Sequence, residues 1–401
     1  MARVFRGGFA LRGDDGPGSG LARHSHHRAA TCGGPVDLAA LGGSLAASGR
    51  DFSDGGGVGA PLAGPERTYA LITAGTIWRV TRNVLLIFAA LAAVFFFVVV
   101  PWLMAGLVTT SRFHFPDPND GKTPKSYGLN FRWVEFPSPD GVPLKGWYIP
   151  AEGKARGTIV YAHGHNRTRV EMLPEAAFAR GLGYNGLPFD LRHQGRSGGN
   201  VSTVGYSERL DLVGAVRYVL DVEKADRPVI LWGVSMGAAA SLLAAAECPE
   251  VDAVVSDSSF LSFSDTVKHH FRMFFGLPSF PIADEIIYCT AYRGHFHASD
   301  FDLVKAVERI GERPVLFIGV AGDRRMPPNI ARELYAHCAS PHRALAILPG
   351  TRHGEGFKDA PQDYQQAVRQ FLARVASEPN AQEVSHGYRV TGDQTGPAPK
   401  P

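Results

Sequence analysis

The stretch PVILWGVSMGAAASLLAAA, residues 228–246, places a predicted strand, a tight turn and a predicted helix directly after one another. Its first part is a short apolar run typical of a buried strand, and its alanine-rich second part is typical of a helix. Between them, Gly233 and Gly237 bound the pattern G-x-S-x-G, in which the serine occupies a strained turn and its neighbours must be small. Ser235 would then present its hydroxyl at the N-terminus of the helix, where developing negative charge is favoured. The stretch predicts a nucleophilic serine, and a serine in a packing turn is the alternative.

The sequence around this stretch alternates between predicted strands and predicted helices. An antiparallel pair with a turn at SPDG is predicted for residues 131–150. The other predicted strands are GTIVYA (157–162), YNGLPFD (184–190), VDAVVSD (251–257), PVLFIGV (314–320) and ALAILPG (344–350). Further helices are predicted near 170–181 and at 206–222, 329–338 and 361–376. Such alternation implies the α/β class, with a mainly parallel sheet covered by helices on both faces.

A serine hydroxyl needs a base that is itself oriented by a carboxylate. Two later strands end in loops that supply these groups, Asp323 in FIGVAGDRRMPP and His353 in LPGTRHGEGF. Because α/β sheets place their sites at the carboxyl ends of the strands, we expect these side chains to meet Ser235 there. Asp257, at the end of VDAVVSD, is a fallback acid. As alternatives, Asp323 could form a turn and His353 could lie on the surface.

The stretch YAHGHNRTR, residues 161–169, has two interpretations. His163 and His165 alternate as metal ligands sometimes do, but HG after a strand is also typical of a turn that binds an oxyanion. A zinc site would need further ligands nearby, and NRTR supplies none. We therefore expect an oxyanion loop in which Gly164 permits a close turn and the backbone N–H groups of Met236 and His165 are the donors. The sequence predicts neither a metal site nor a cofactor.

These motifs, together with FDLRHQGRSGG, resemble the α/β-hydrolase superfamily over about residues 130–376. The most similar branch consists of membrane-anchored bacterial members described as like serine aminopeptidases or monoacylglycerol lipases. The resemblance implies that Ser235, Asp323 and His353 are nucleophile, acid and base. A loop that supports the site without doing chemistry is expected to contain His163, Gly164, Asp190, Arg192 and Gly195. One departure is the Thr-Arg pair that precedes the histidine in GTRHGEG.

Residues 84–108, VLLIFAALAAVFFFVVVPWLMAGLV, form a run without a charge. At about 1.5 Å per residue this run is long enough to cross a hydrocarbon core of about 30 Å. A buried core helix and a cleaved signal peptide are the alternatives, but the run is too long for both and starts too late for the second. Three basic residues lie within twenty positions on each side of the run: Arg67, Arg79 and Arg82 before it, and Arg112, Lys122 and Lys125 after it. Because Arg79 and Arg82 lie closest to the run, we expect a cytoplasmic N-terminus. The catalytic domain is therefore expected on the exported side of a bacterial inner membrane.

The apolar run separates parts of different composition. Residues 1–66 are rich in Gly, Ala, Ser, Arg and His without a helical or strand period, which predicts a disordered tail. A polar linker is expected at 109–129 and a hydrolase domain at 130–377, with a cap at about 260–310. A flexible tail is expected at 378–401.

Composition and motifs together narrow the expected function. The net charge of +3 is too small to suggest a nucleic-acid partner, and the four cysteines form no C-x-x-C motif. We expect a serine hydrolase that cleaves a lipid-like or small carboxyl ester through an acyl-serine intermediate. The alternatives are a serine peptidase or amidase, a thioesterase, and a catalytically silent membrane scaffold. Aromatic residues of the cap would line an acyl site or pack the cap onto the body: Phe271, Phe274, Phe275, Phe280, Tyr288 and Tyr292.

Overall fold

The computed structural model describes residues 73–110 and 113–377, and an eight-stranded sheet forms the core of this part of the chain. The strands are β1 (Arg132–Pro137), β2 (Pro143–Tyr148), β3 (Thr158–Ala162), β4 (Asn185–Asp190), β5 (Val229–Val234), β6 (Ala253–Asp257), β7 (Val315–Val320) and β8 (Arg343–Leu348). They lie in the order β1-β2-β4-β3-β5-β6-β7-β8. The pairs β1–β2 and β2–β4 are antiparallel, and all other pairs are parallel. This confirms the predicted fold class. The predicted tails at 1–66 and 378–401 lie outside the described residues.

Helices cover both faces of the sheet. They are α1 (Ala74–Val94), α2 (Val100–Thr109), α3 (Leu173–Gly181), α4 (Glu208–Arg217), α5 (Met236–Glu247), α6 (Phe263–Phe275), α7 (Ile282–Gly294), α8 (Leu303–Arg309), α9 (Asn329–His337), α10 (Gly356–Asp359) and α11 (Pro361–Ser377). Short 3-10 turns occupy Pro124–Tyr127, Arg169–Met172 and Ala298–Asp300. Helices α4, α5, α8 and α9 pack on one face, and α3 and α11 pack on the other. The helix predicted at 206–222 is confirmed over residues 208–222, with α4 followed directly by a π-helical turn at Tyr218–Val222.

Strand β5 shows why its sequence is a continuous apolar run. Val229 and Leu231 pack with α4 and α5, whereas Ile230 and Trp232 pack on the side of α3 and α11. All four side chains are fully buried. Successive side chains of a strand point to opposite faces, so a strand covered on both faces needs apolar residues at every position.

The apolar run lies in one continuous helix, Ala74–Thr109, which includes a π-helical segment at Phe95–Val99. Among the described helices it is the one long and apolar enough to cross a membrane. It begins ten residues before the predicted run 84–108, because the helical backbone continues through a segment that contains Arg79 and Arg82. Its 36 residues span about 54 Å, more than a hydrocarbon core of about 30 Å.

Much of the segment predicted as a linker, 109–129, is fixed to the surface of the domain. The backbone N–H of Phe115 donates to the carbonyl of Asn166 at 2.9 Å. Arg167 Nη1 donates to the carbonyl oxygen of Pro116 at 2.6 Å. The loop after β3 therefore holds the chain soon after it leaves the long helix.

The region predicted as a cap, about 260–310, has two parts in the structure. Helices α6 and α7 pack on each other, and α7 also packs along α2. Helix α8 instead packs against α5 and belongs to the body of the domain. Sequence could not separate the two parts, because both kinds of helix bury an apolar face.

Candidate active site

Ser235 lies in the tight turn between β5 and α5, with φ of 55° and ψ of −114°. This positive φ is unusual for a residue other than glycine. Its neighbours leave no space for side chains. A Cβ on Gly233 would lie 2.2 Å from the carbonyl oxygen of Gly237, and one on Gly237 would lie 2.1 Å from that of Ala162. The two glycines are therefore required by close backbone approach, as the G-x-S-x-G pattern predicts.

Ser235, His353 and Asp323 form a hydrogen-bonded chain. His353 Nε2 lies 2.8 Å from Ser235 Oγ, and His353 Nδ1 lies 2.7 Å from Asp323 Oδ2. Because a carboxylate accepts hydrogen bonds, this geometry assigns the proton of a neutral imidazole to Nδ1 and leaves Nε2 to accept from the serine hydroxyl. The loops after β5, β7 and β8 thus bring the three residues together at the carboxyl edge of the sheet.

Asp323 is held in its ionised form. Its side chain is almost fully buried, and its Oδ1 accepts from the backbone N–H groups of Arg325 at 2.8 Å and Met326 at 3.0 Å. Burial alone would raise its pKa, but the hydrogen bond and charge of His353 and the two backbone hydrogen bonds lower the pKa below its ordinary value. The carboxylate can therefore stabilise positive charge on His353.

Asp257, the fallback acid, contacts other groups. Its Oδ1 accepts from Ser258 Oγ at 2.8 Å, and its Oδ2 accepts from the hydroxyl of Tyr364 at 2.9 Å. Burial raises the pKa of Asp257 to about 6, although these two hydrogen bonds oppose the rise. The geometry therefore favours Asp323 over Asp257 as the partner of His353.

The loop after β3 passes beside Ser235. A Cβ on Gly164 would lie 3.7 Å from the Cβ of Ser235. The backbone N–H of His165 comes next in this loop, and that of Met236 belongs to the first residue of α5. Within the described part of the chain, neither N–H donates to a protein acceptor. Both remain candidates for binding an oxyanion at the positive end of the helix.

His163 uses both ring nitrogens in holding this loop. Its Nδ1 lies 2.8 Å from the carbonyl oxygen of Gly164, and its Nε2 accepts from the backbone N–H of Leu191 at 3.0 Å. Burial lowers the pKa of His163 and lowers that of His165 to about 4, so both rings are neutral near pH 7. Among the described residues no group of three or more His, Cys, Asp and Glu side chains is arranged to hold a metal ion.

Asp190 organises the loop after β4. Its carboxylate accepts from the backbone N–H groups of Arg169 at 2.9 Å and Arg196 at 2.7 Å, and it also pairs with the Arg169 guanidinium. A Cβ on Gly195 would lie 2.2 Å from Asp190 Oδ2, so this position requires glycine. These contacts fix a loop beside the site, and none of them reaches Ser235.

Arg192 joins the same loop to the rest of the domain. Its guanidinium pairs with Asp211 at 2.7 Å and with Asp140 at 2.7 Å. Asp211 is fully buried, so Arg192 compensates a charge that would otherwise be costly. The geometry gives Arg192 a structural position rather than one in contact with the triad.

Glu171 is a candidate site residue that the sequence did not reveal. Its Oε2 accepts from the backbone N–H of Gly164 at 2.6 Å. Burial raises the pKa of Glu171 to about 7, although the Gly164 hydrogen bond and the nearby Arg167 oppose the rise. Glu171 therefore fixes the residue that precedes the predicted oxyanion donor His165.

A cavity of about 320 Å³ opens beside His353. Its charged lining residues are Asp117, Arg167, Glu171, Glu175, Glu355 and Lys358. Apolar surface comes from Val234, Phe357 and the prolines nearby. A substrate group in this cavity would meet both carboxylates and cations within reach of the histidine.

The model of the serine aminopeptidase S33 family matches residues 153–280. The protein YqkD of Bacillus subtilis is 29% identical over 59% of this chain and 77% of its own length. YfhR of Escherichia coli K12 is 26% identical over 68% of this chain and 90% of its own length. The protein bem46 of Schizosaccharomyces pombe is 24% identical over 63% of this chain and 79% of its own length.

Solved structures share the architecture. The Pyrococcus furiosus esterase Pf2001 is 25% identical in one crystal form, with a TM-score of 0.53 over 65% of this chain and 98% of that chain. The α/β hydrolase GrgF of Penicillium is 19% identical, with a TM-score of 0.50 over 62% of this chain and all of that chain. The second likeness concerns the fold alone.

Proposed function

Because the chain belongs to the α/β-hydrolase superfamily, we propose that it is a serine hydrolase that cleaves carboxyl esters through an acyl-serine intermediate. The observation that supports this most strongly is the hydrogen-bonded chain from Ser235 through His353 to Asp323. In this chain, His353 is positioned to accept the proton of the serine hydroxyl, and the Asp323 carboxylate is hydrogen-bonded to His353.

In the first step, His353 Nε2 takes the hydroxyl proton while Ser235 Oγ forms a bond to the ester carbonyl carbon. The carbonyl oxygen takes the electron pair of its double bond, and the amides of His165 and Met236 donate hydrogen bonds to it. Asp323 stabilises the imidazolium that has formed. The oxyanion then re-forms the carbonyl double bond, the bond between the carbon and the alkoxy oxygen breaks, and the imidazolium gives its proton to the departing alkoxy oxygen. The acyl group stays on the serine.

Deacylation repeats these steps with water as the nucleophile. His353 takes a proton from water, and the water oxygen forms a bond to the acyl carbon. The bond between this carbon and Ser235 Oγ then breaks, Oγ takes the proton back from His353, and the acid is released. The residues named here account for every proton and electron pair, so the proposal includes no cofactor.

The ester class rests on the similarity to an esterase and on the apolar surface near the site. A lipid-like or small acyl ester suits a chain that also carries a long apolar helix. We place this helix across a membrane as a single span. The exported side of a bacterial inner membrane remains the proposed location of the domain, from the positions of Arg79 and Arg82.

A serine aminopeptidase or amidase is the second candidate. The matching family model bears that description, and carboxylates line the cavity beside His353. Among them, Glu175 has a buried oxygen, Oε2, with no hydrogen-bond partner in the described part of the chain. An ammonium group of a substrate would complement these carboxylates.

The two candidates differ in the bond that is cleaved. We would compare p-nitrophenyl esters of increasing acyl length with aminoacyl p-nitroanilides, using the purified full chain and its Ser235→Ala variant. The esterase proposal expects a higher kcat/KM on the esters and no turnover by the variant. A higher kcat/KM on the anilides would favour the peptidase, and a folded wild type that cleaves neither would favour a silent scaffold.

A further inference from the structure

The cap carries most of the exposed large apolar side chains that the described residues contain outside the helix Ala74–Thr109. These residues are Phe274, Phe275, Leu277, Phe280, Tyr288 and Tyr292. Phe280, in the turn between α6 and α7, is the most exposed, at 77%. Six exposed large apolar side chains on one part of the surface indicate a contact site for an apolar partner, such as a lipid or the apolar surface of another protein.

Helix α7 packs along α2, the last part of the long apolar helix. The ring centroids of Trp102 and Tyr292 are 6.3 Å apart, and the Arg293 guanidinium lies 4.6 Å from the Trp102 ring centroid. Arg293 Nε also donates to Thr109 Oγ1 at 3.1 Å. The C-terminal ends of α2 and α7 therefore lie side by side.

The other end of α7 lies further back along the same apolar helix. Met104 packs with the buried side chains of Phe271 and Ile286. Helix α7 also contacts Phe95–Val99, which ends about 15 Å before Thr109 at a rise of about 1.5 Å per residue. The N-terminal end of α7, and the turn that precedes it, therefore lie beside the uncharged part of the apolar helix.

We propose that the cap tip, defined as residues 274–280 with Tyr288 and Tyr292, inserts into one leaflet of the bilayer beside the span. The argument is geometric, because α2 cannot lie in lipid while a helix packed along it stays in water. Trp102 and Tyr292 then form an aromatic pair at the level where such rings are favoured. The proposal rests on the proposed membrane span, and it does not depend on which bond is hydrolysed.

Charged residues on the cap limit the depth of insertion. Lys268 Nζ pairs with Asp284 Oδ1 at 2.8 Å, and Arg272 Nη1 donates to Ser279 Oγ at 3.2 Å. Arg293 lies at the end of the span, where long cationic side chains reach the head groups. We therefore expect the tip to stay within the leaflet next to Arg293 and not to cross into the other leaflet.

Site-specific photo-crosslinking tests this surface without a measurement of activity. Benzoylphenylalanine would replace one residue at a time in the full chain, reconstituted in phosphatidylcholine vesicles. The positions are Phe280 and Phe274 on the cap tip, Phe88 in the apolar helix and Val222 as the matched control. Val222 and Phe274 are both 66% exposed. Val222 lies in the connection between α4 and the start of β5, at the edge of the sheet opposite to the one that carries Ser235.

After irradiation, mass spectrometry would locate adducts of one phospholipid. We expect adducts at Phe280, Phe274 and Phe88, with Val222 at least tenfold lower. Labelling of Phe88 but not of either cap position would overturn the proposal and leave the span intact. Absence of labelling at Phe88 would contradict both the membrane span and the proposal. A crosslink from the cap tip to a protein in place of a phospholipid would also overturn the proposal, since the surface would then bind a protein partner. Circular dichroism of each variant verifies folding, and use of two cap positions guards against a local defect.

Discussion

The Nε2 of His353 lies 2.8 Å from the Oγ of Ser235, although 118 residues separate them in the chain. The contact exists because β5 and β8 end at the same edge of one sheet, with β6 and β7 between them. The loop after β7 brings Asp323 to the opposite nitrogen of the imidazole. The sheet thus positions three residues that no local element could bring together.

Asp323→Asn should lower kcat on a p-nitrophenyl ester by roughly 10⁴-fold, the loss seen on a comparable substitution in serine proteases. The amide cannot supply the negative charge that stabilises the imidazolium, and it can leave the histidine in the wrong tautomer. Asp257→Asn is the matched control, because Asp257 contacts Ser258 and Tyr364. A larger loss of kcat in the Asp257 variant, at equal folded content, would reassign the acid.

Gly237→Ala should prevent normal folding or greatly lower the Tm. Its new Cβ would lie 2.1 Å from the carbonyl oxygen of Ala162, an approach that requires backbone movement. Gly181→Ala is the control, since a Cβ there meets nothing within 4 Å and Gly181 ends helix α3. Thermal unfolding of both variants measures the difference. Equal Tm values would mean that the turn around Ser235 is less tightly packed than the structure shows.

Glu171→Gln should raise the Tm more at pH 8 than at pH 5. Burial raises the pKa of Glu171 to about 7 from an ordinary 4.5, so folding favours the protonated form. The free energy of unfolding therefore decreases as the pH rises from about 4.5 through 7. Above that range, the ionised Glu171 carboxylate destabilises the folded state by its full desolvation penalty. Glutamine removes this cost, and its amide oxygen can still accept from the Gly164 N–H. A Tm difference independent of pH would exclude a buried, titrating Glu171.

The elements around the predicted active site follow from short-range patterns. The apolar run of β5, the G-x-S-x-G turn and the alanine-rich α5 each have a local physical cause, and the structure contains all three. Asp323 and His353 were predicted from their positions directly after later strands, and in the structure both lie in the hydrogen-bonded chain that ends at Ser235. Their catalytic roles stay predictions.

Contacts between distant segments could not be predicted in this way. Glu171 binds the Gly164 amide only because a 3-10 turn carries it back over the loop after β3. The packing of α7 along α2 was likewise not predictable. Both helices have apolar surfaces, and the sequence does not say whether such a surface contacts another helix or the domain core. Hydropathy also located the apolar run but not the start of its helix at Ala74. The first turns of this helix contain polar residues, which a hydropathy pattern does not include in an apolar run.

The orientation of the proposed membrane span is open to a direct test. Arg79 and Arg82 at its entry favour a cytoplasmic N-terminus, so the hydrolase domain should be exported. A C-terminal alkaline phosphatase fusion should then be active, and a C-terminal green fluorescent protein fusion should be dark. Reversal of both signals would place the domain in the cytoplasm.

The central claim, that Ser235 is the nucleophile, is tested most directly by a fluorophosphonate that bonds covalently to activated serines. Mass spectrometry of the digested full chain should find one adduct, on the peptide that contains Ser235. The Ser235→Ala variant should fold with an unchanged Tm and take up no label. An adduct on a different residue, or a folded wild-type chain that stays unlabelled, would contradict the proposed mechanism.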